Sequence, residues 1–432
     1  EPDKKRNGRK TWIGFVLGES RGPRNAISRL PTVINRFGFS PRKSLRNFDR
    51  LLEITDRYSV TPTLPVTAVT ARRNPAVIRW LRDRGAEVAA HGYVHNDYAA
   101  ISAAEQLDQV AMARVELSDL GFDVRGWRSP YSRWNADTVT ALKANGFEYD
   151  ASPVYAWPAF EQEQIEMDVD AQAAYQRVRA LFNVRDASTN AVLPETVDGL
   201  VQIPMSIPQD EDMVDRLHLG PEEMSRVWLR VLADSKRHGE IFVVCLHPER
   251  AALCAEPLDA ALFEAKRKGD VWIAPLSGVA EWWRMRAMAE LKVTAEGAFG
   301  HWRVSSQAHD GVVTRFGGTE RHGSAAWEID SALKPVVYVG AEWPDATATR
   351  IREAGYAVEQ NGRGPDGCAI VLSREFALDA TPESIVRSLG NRDQELVRIL
   401  PWPAGFASCM SITGDIDALT LFDFAMRLKE FS

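Results

Sequence analysis

Apolar residues recur along the first two thirds of the chain at two alternating spacings, that of helices and that of short strands. From Ser44 to Tyr58 they fall at Leu45, Phe48, Leu51, Leu52 and Ile54. That spacing puts them on one helical face, because residues three and four apart lie above one another. Thr61 to Val66 reads as a strand. Asn74-Pro75 opens a second helix with an N-cap side chain and a proline at the first helical position, and Val77, Ile78 and Leu81 form its buried stripe. Glu87 to Ala90 reads as the strand that delivers His91, and Ser102 to Leu120 as a helix. Asn135 caps a further helix through Ala144, and Phe147 to Asp150 and Ile241 to Leu246 are apolar strands. The alternation predicts an α/β fold, either a barrel or a parallel sheet.

After Trp282-Trp283-Arg284 the texture changes. Leu291 to Ala295, Trp302 to Ser306, Val312 to Phe316 and Trp327 to Ile329 are short alternating runs between glycine-rich turns, which predicts a β-rich region. Pro335 to Gly340, a helix near Ala346 to Ala354 and Cys368 to Leu372 suggest a small α/β unit. The expected division is 11–287, 288–400 and 401–432, since 432 residues exceed what one hydrophobic core usually serves. His301, His309 and His322 lack a ligand-like grouping and read as surface residues.

Composition narrows the field. A net charge of −7 argues against nucleic acid or an anionic membrane as the main partner. No apolar run approaches the roughly 20 residues needed to span a bilayer. Cys245, Cys254, Cys368 and Cys409 lack the close spacing of a zinc or redox cluster, and a chain of this size needs no disulfides, so a reducing, cytoplasmic setting is expected.

The candidate chemistry begins at His91-Gly92-Tyr93-Val94-His95. Two imidazoles four residues apart converge on one divalent cation if the segment turns helically; the bland alternative is one buried and one solvated ring. Downstream stand Arg128-Ser129-Pro130-Tyr131, Ser132-Arg133-Trp134-Asn135, Gly146-Phe147-Glu148-Tyr149-Asp150-Ala151-Ser152 and Val243-Val244-Cys245-Leu246-His247-Pro248. With the histidine pair, these blocks resemble the NodB-type polysaccharide deacetylase family, carbohydrate esterase family 4, over about residues 45 to 285. The resemblance implies a distorted (β/α) barrel, with the β-rich and small α/β regions inserted before its C-terminal strand. Site residues of such barrels gather at the carboxyl ends of the strands.

Members of that family open with a strand ending in an aspartate pair. The matching segment here, Thr11 to Glu19, offers the single carboxylate of Glu19. The pair stands instead at Asp415-Ile416-Asp417, behind Pro401-Trp402-Pro403-Ala404-Gly405-Phe406. In an extended strand residues i and i+2 face the same side, so both carboxylates face one pocket; the alternative is a turn and a helix cap. The expectation is therefore a circularly permuted barrel, completed within one chain or across a swapped homodimer.

By resemblance, His91, His95 and Asp417 hold a divalent metal, with Zn²⁺ the default and Co²⁺, Ni²⁺ or Mn²⁺ acceptable to two nitrogens and a carboxylate. Asp415 is the base for the metal-activated water, and Arg128 orients it and keeps it ionised. His247 is the acid, with Asp150 as its orienting partner. The backbone N–H of Tyr131 faces the oxyanion, while Trp134 and Asp210 are candidate substrate contacts. The implied activity is hydrolysis of N-acetyl, or O-acetyl, groups on an acetylated carbohydrate. Two alternatives stay open: another C–N hydrolase resembling allantoinases or cyclic imidases, and a non-catalytic carbohydrate-binding relative.

Overall fold

The computed structural model describes residues 37–297, 299–360, 366–392 and 395–430. Its centre is a curled, mostly parallel sheet of nine strands: β1 (Thr63–Val66), β2 (Glu87–Ala90), β3 (Gly126–Trp127), β4 (Tyr149–Asp150), β5 (Glu195–Val197), β6 (Leu200–Gln202), β7 (Ile241–Cys245), β8 (Val271–Ile273) and β9 (Ser408–Thr413). The order across the sheet is β7-β9-β1-β2-β3-β4-β6-β5, with β8 paired to the first half of β9. Only β5 runs antiparallel, against β6. The late strand β9 thus lies inside the sheet, with Ile241 to Cys245 in register with Cys409 to Thr413 on one side and Thr63 opposite Thr413 on the other.

Burial explains why these strands read as apolar runs. β1, β7 and β9 are buried at every residue, as parallel strands covered on both faces must be. Helices Ala103–Asp119, Pro221–His238 and Ala251–Arg267 lie against the sheet, and Arg42–Arg57 packs on the last of them, burying Phe48, Leu51, Leu52 and Ile54. Asn135 forms the expected cap: its side chain accepts from the Thr138 amide at 3.1 Å and the Thr138 hydroxyl accepts from the Asn135 amide at 3.1 Å. Asn74 departs from expectation. A short helix, Ala68–Arg73, runs into Pro75–Asp83, so the Asn74 side chain spans the joint and donates to the Thr70 carbonyl and the Asp423 carboxylate instead of capping.

Between Glu290 and Ile399 the strands form small separate sheets. Glu290–Ala295, His301–Gln307 and Trp327–Asp330 make an antiparallel sheet, and Lys334–Tyr338 lies parallel between Val358–Glu359 and Cys368–Val371. A second apolar cluster, with Val293, Val304, Trp327 and Val336, belongs to this region. Arginines tie it to the barrel: Arg286 donates to the carbonyls of Leu400 and Ile399, Arg350 to that of Pro194, and Arg387 to the Glu240 carboxylate. His301, His309 and His322 are exposed, and all four cysteines are buried and unpaired.

Candidate active site

The carboxyl ends of β1, β2, β3, β7 and β9 open onto one rim, and the backbone ladder runs on past them. The His91 amide donates to the Val66 carbonyl at 2.9 Å, and that of Arg128 to Ala90 at 2.9 Å. His91, Arg128, Asp150, His247 and Asp415 follow the ends of β2, β3, β4, β7 and β9, with Asp150 the last residue of β4. The His91–His95 segment is a loop, not the helical turn considered above. Gly92 adopts φ +88°, a left-handed conformation that glycine alone takes without strain, and an added Cβ there would meet the Val94 carbonyl oxygen at 2.7 Å. The bend brings both rings inward with their centroids 5.1 Å apart.

Asp417 completes a cluster with them. One ligand atom each from His91, His95 and Asp417 lies within 4.8 Å of the others. Asp417 Oδ1 stands 3.3 Å from Nε2 of both rings, yet it is buried without a hydrogen-bond partner. Two nitrogens and an orphaned carboxylate oxygen facing one point form a donor set that fits a divalent cation. Burial opposes ionisation of Asp417, but His95 and Arg427 hold its carboxyl well below the usual range. Burial, and then the Arg427 charge, pushes His95 down to about 4.

Asp415 sits beside this cluster. Its Oδ1 accepts from Arg128 Nη1 at 3.0 Å, and its Oδ2 lies 3.9 Å from His91 Nε2. Arg128 is itself buried, held by the Ala151 carbonyl at 3.1 Å. Both aspartates lie between β9 and the Leu421–Glu430 helix, whose start is served by Thr420, so neither carboxylate caps that helix. Their convergence follows from chain direction: the Ile416 amide donates to the Pro65 carbonyl at 2.7 Å, continuing β9 alongside β1. The arm reaches the barrel of its own chain.

The opposite side of the rim corrects two expectations. The carboxylate on His247 is Asp210, not Asp150: Asp210 Oδ1 lies 2.9 Å from His247 Nδ1, and Oδ2 accepts from the His247 amide at 2.6 Å. Burial alone would lower His247, but the Asp210 charge outweighs it and raises the imidazole to about 9. Asp150 is occupied by the Ser152 amide and hydroxyl and by Gln202 Nε2, and burial pushes it up to about 6 despite those bonds. Asp210 is fully buried, which leaves it no surface to offer a substrate.

Tyr131 takes φ +58°, uncommon for a bulky side chain, and its ring meets His95 edge-on at 4.4 Å. Trp134 is half-buried and packs on the main apolar core. Glu19 lies outside the described residues. Two residues went unnoticed in the sequence. Arg250 stands 3.8 Å from Asp210, and the only cue was its place three residues after His247. Arg427 contacts both Asp417 and His95, and nothing in its helical context marked it.

Comparison with known proteins bears on this rim. The family model described as polysaccharide deacetylase matches residues 41–149. The peptidoglycan deacetylase-like protein FGM2 of Gibberella zeae is 31% identical over 106 residues, which span 24% of this chain and 31% of that protein. A Mycobacterium smegmatis crystal structure, provisionally named a polysaccharide deacetylase, aligns at 24% identity and TM-score 0.44 over 59% of this chain and 83% of its own. Puue allantoinase aligns at 18% identity and TM-score 0.42 over 55% of this chain and 72% of its own. The matched segment carries His91, His95 and Arg128, and over residues 41–149 the chain is similar to the polysaccharide deacetylase family.

Proposed function

We propose that this chain is a metal-dependent hydrolase that removes N-acetyl, or O-acetyl, groups from a polysaccharide or oligosaccharide. In this reading the barrel comprises the segment up to residue 287 together with 401–432, a circular permutation of the family order, and 288–400 is an accessory region. The observation that carries it is the unpartnered Asp417 Oδ1, 3.3 Å from both imidazoles and next to an Arg128-bound Asp415.

His91, His95 and Asp417 would hold the ion, Zn²⁺ being the default for such donors. When bound, the ion supplies Lewis acidity, polarising a carbonyl and easing loss of a proton from water near neutral pH. Asp415, oriented by Arg128, accepts the proton of the attacking water through the oxygen that Arg128 leaves uncovered. His247 stays protonated through neutral pH beside Asp210 and donates to the departing amine nitrogen or alcohol oxygen. Tyr131 supplies its backbone N–H to the developing oxyanion, and Trp134 borders the sugar. Asp150, bonded to Ser152 and Gln202, takes no part on His247 in this reading.

Metal analysis alongside acetate release from N-acetylated chitin and peptidoglycan oligosaccharides tests this directly. Asp417→Ala is expected to lose the ion. Asp415→Asn keeps it and loses about 10²- to 10⁴-fold in turnover, the usual worth of a positioned acid or base. A wild-type chain that takes up no ion and releases no acetate overturns the assignment. If Glu19→Ala empties the site while Asp417→Ala leaves it full, the first strand belongs to the N-terminal segment instead.

A further inference from the structure

The two imidazoles of the cluster are held by opposite kinds of neighbour. His91 Nδ1 lies 2.9 Å from the Arg128 carbonyl oxygen, a pure acceptor, so that nitrogen carries the hydrogen and Nε2 presents its lone pair toward Asp417. His95 Nδ1 lies 2.9 Å from Arg427 Nη2. A guanidinium has donors only, so this nitrogen accepts. A neutral ring that accepts at Nδ1 carries its hydrogen on Nε2, the atom 3.3 Å from Asp417 Oδ1. His91 is therefore set to ligate a cation and His95 is set against it. Arg427 also holds Asp417 Oδ2 through Nη1 at 3.0 Å and hydrogen-bonds the Tyr131 side chain.

Arg427 lies on the Leu421–Glu430 helix, and its side chain is only 13% exposed. The first turn of that helix is pinned: Asp423 receives Arg73 Nε at 2.7 Å and Asn74 Nδ2 at 3.0 Å, and Phe424 stacks on Phe37 at 5.3 Å. Arg427 follows one turn later. Its guanidinium can leave the cluster without the helix start moving.

We propose that Arg427 is a tethered cation competing with a divalent metal for His95 and Asp417, so that the metal binds only as Arg427 withdraws. This rests on the metal reading above. For His95 to ligate through Nε2, its hydrogen must move to Nδ1, which then points a donor at the Arg427 donor. The two arrangements exclude one another. A guanidinium that merely braced Asp417 would have no reason to sit on the ring.

Calorimetric titration of the full chain with Co²⁺ and with Zn²⁺ tests this. Arg427→Gln and Arg427→Ala are expected to bind each ion about ten- to a hundredfold tighter than wild type, since the competing charged hydrogen bonds are gone. In the unsubstituted chain, labelling of Arg427 by p-hydroxyphenylglyoxal is expected to rise severalfold when either ion is added. Equal or weaker binding by the variants, or labelling indifferent to the ions, overturns the proposal while leaving the metal site standing. Absence of binding by wild type and variants alike overturns both.

Discussion

At one end of the rim Asp417 stands 3.3 Å from two imidazole nitrogens, and at the other Asp210 closes on a single imidazole at 2.9 Å. Both are buried histidine–carboxylate meetings, yet their electrostatics run in opposite directions. Burial and Arg427 lower His95 to about 4, so its ring is neutral. For His247 the Asp210 charge overcomes burial and raises the ring to about 9. The difference comes from the neighbouring guanidinium: Arg427 meets the His95 ring directly at 2.9 Å, whereas Arg250 stands 3.8 Å from Asp210. Asp210 meets His247 with both oxygens, through Nδ1 and the backbone amide, and Oδ1 also accepts from the Glu211 amide. Asp417 gives Oδ2 to Arg427 and leaves Oδ1 facing the two rings without a hydrogen bond. One end suits a cation that accepts lone pairs, and the other suits a proton.

The most disruptive way to break this contrast is Asp210→Ala. It strands the His247 ring in the interior, while Arg250 keeps Asp215, and loss of one partner of a buried pair costs about 3–5 kcal/mol. Urea unfolding at neutral pH reads this out, and a loss below about 1 kcal/mol would mean that the pair is solvated and weak.

The pH dependence of stability sharpens the comparison next. His247 is raised in the folded chain, so its contribution is fully present below its unfolded pKa near 6.5 and is lost as pH rises through about 9. Wild type is expected to lose roughly 3 kcal/mol across that window, and Asp210→Asn to lose little of it. NMR titration of the His247 ring checks the same point: the midpoint falls from about 9 to 6.5 or lower in the variant.

Gly414 couples the two ends. An added Cβ would meet the Leu246 carbonyl oxygen, just before His247, at 2.4 Å, while the chain continues at once into Asp415. Gly414→Ala therefore pushes the aspartate arm away from β7. It is expected to cost about 1–3 kcal/mol, the usual range for overpacking, and to weaken Co²⁺ binding measurably. The smallest effect is reserved for Asn135→Ala, which removes a cap bonded to Thr138 and Gln106 and to neither carboxylate. It should lower stability by about 1 kcal/mol and leave both the metal affinity and the His247 midpoint unchanged.

Much of this arrangement was readable in advance where local chemistry decides it. The apolar run from Ile241 to Leu246 is a strand because all five of its strand residues are buried, and Asn135 caps because Thr138 stands three residues on. Asp415 and Asp417 were separable from an ordinary turn because they end an apolar run, as the other rim residues do. The failures are tertiary. Asp210 sits in an acidic loop stretch, Gln209-Asp210-Glu211-Asp212, that looks like a solvated turn, and only the packed chain shows it to be fully buried. One cue was there, since Met205–Ile207 is another short apolar strand placing an aspartate just beyond its end. Asp150 satisfied the same rule and was chosen in its place, because spacing along the chain cannot tell which neighbour Ser152 and Gln202 will claim. Arg427 looks like one more charge on an amphipathic helix. Its position depends on the turn between Asp417 and Leu421, which no local pattern specifies.

The placement of β9 has a consequence for biosynthesis. A ribosome releases β1 and β7 long before it reaches Ser408–Thr413, the strand that must slot between them. Until then, two apolar strands expose unpaired backbone edges, which are ready templates for misassembly. Closing the sheet waits on a contact of great sequence separation, which slows folding. The candidate site at the rim and the completed sheet therefore arise in the same late event, and a nascent chain stalled before residue 408 would have neither.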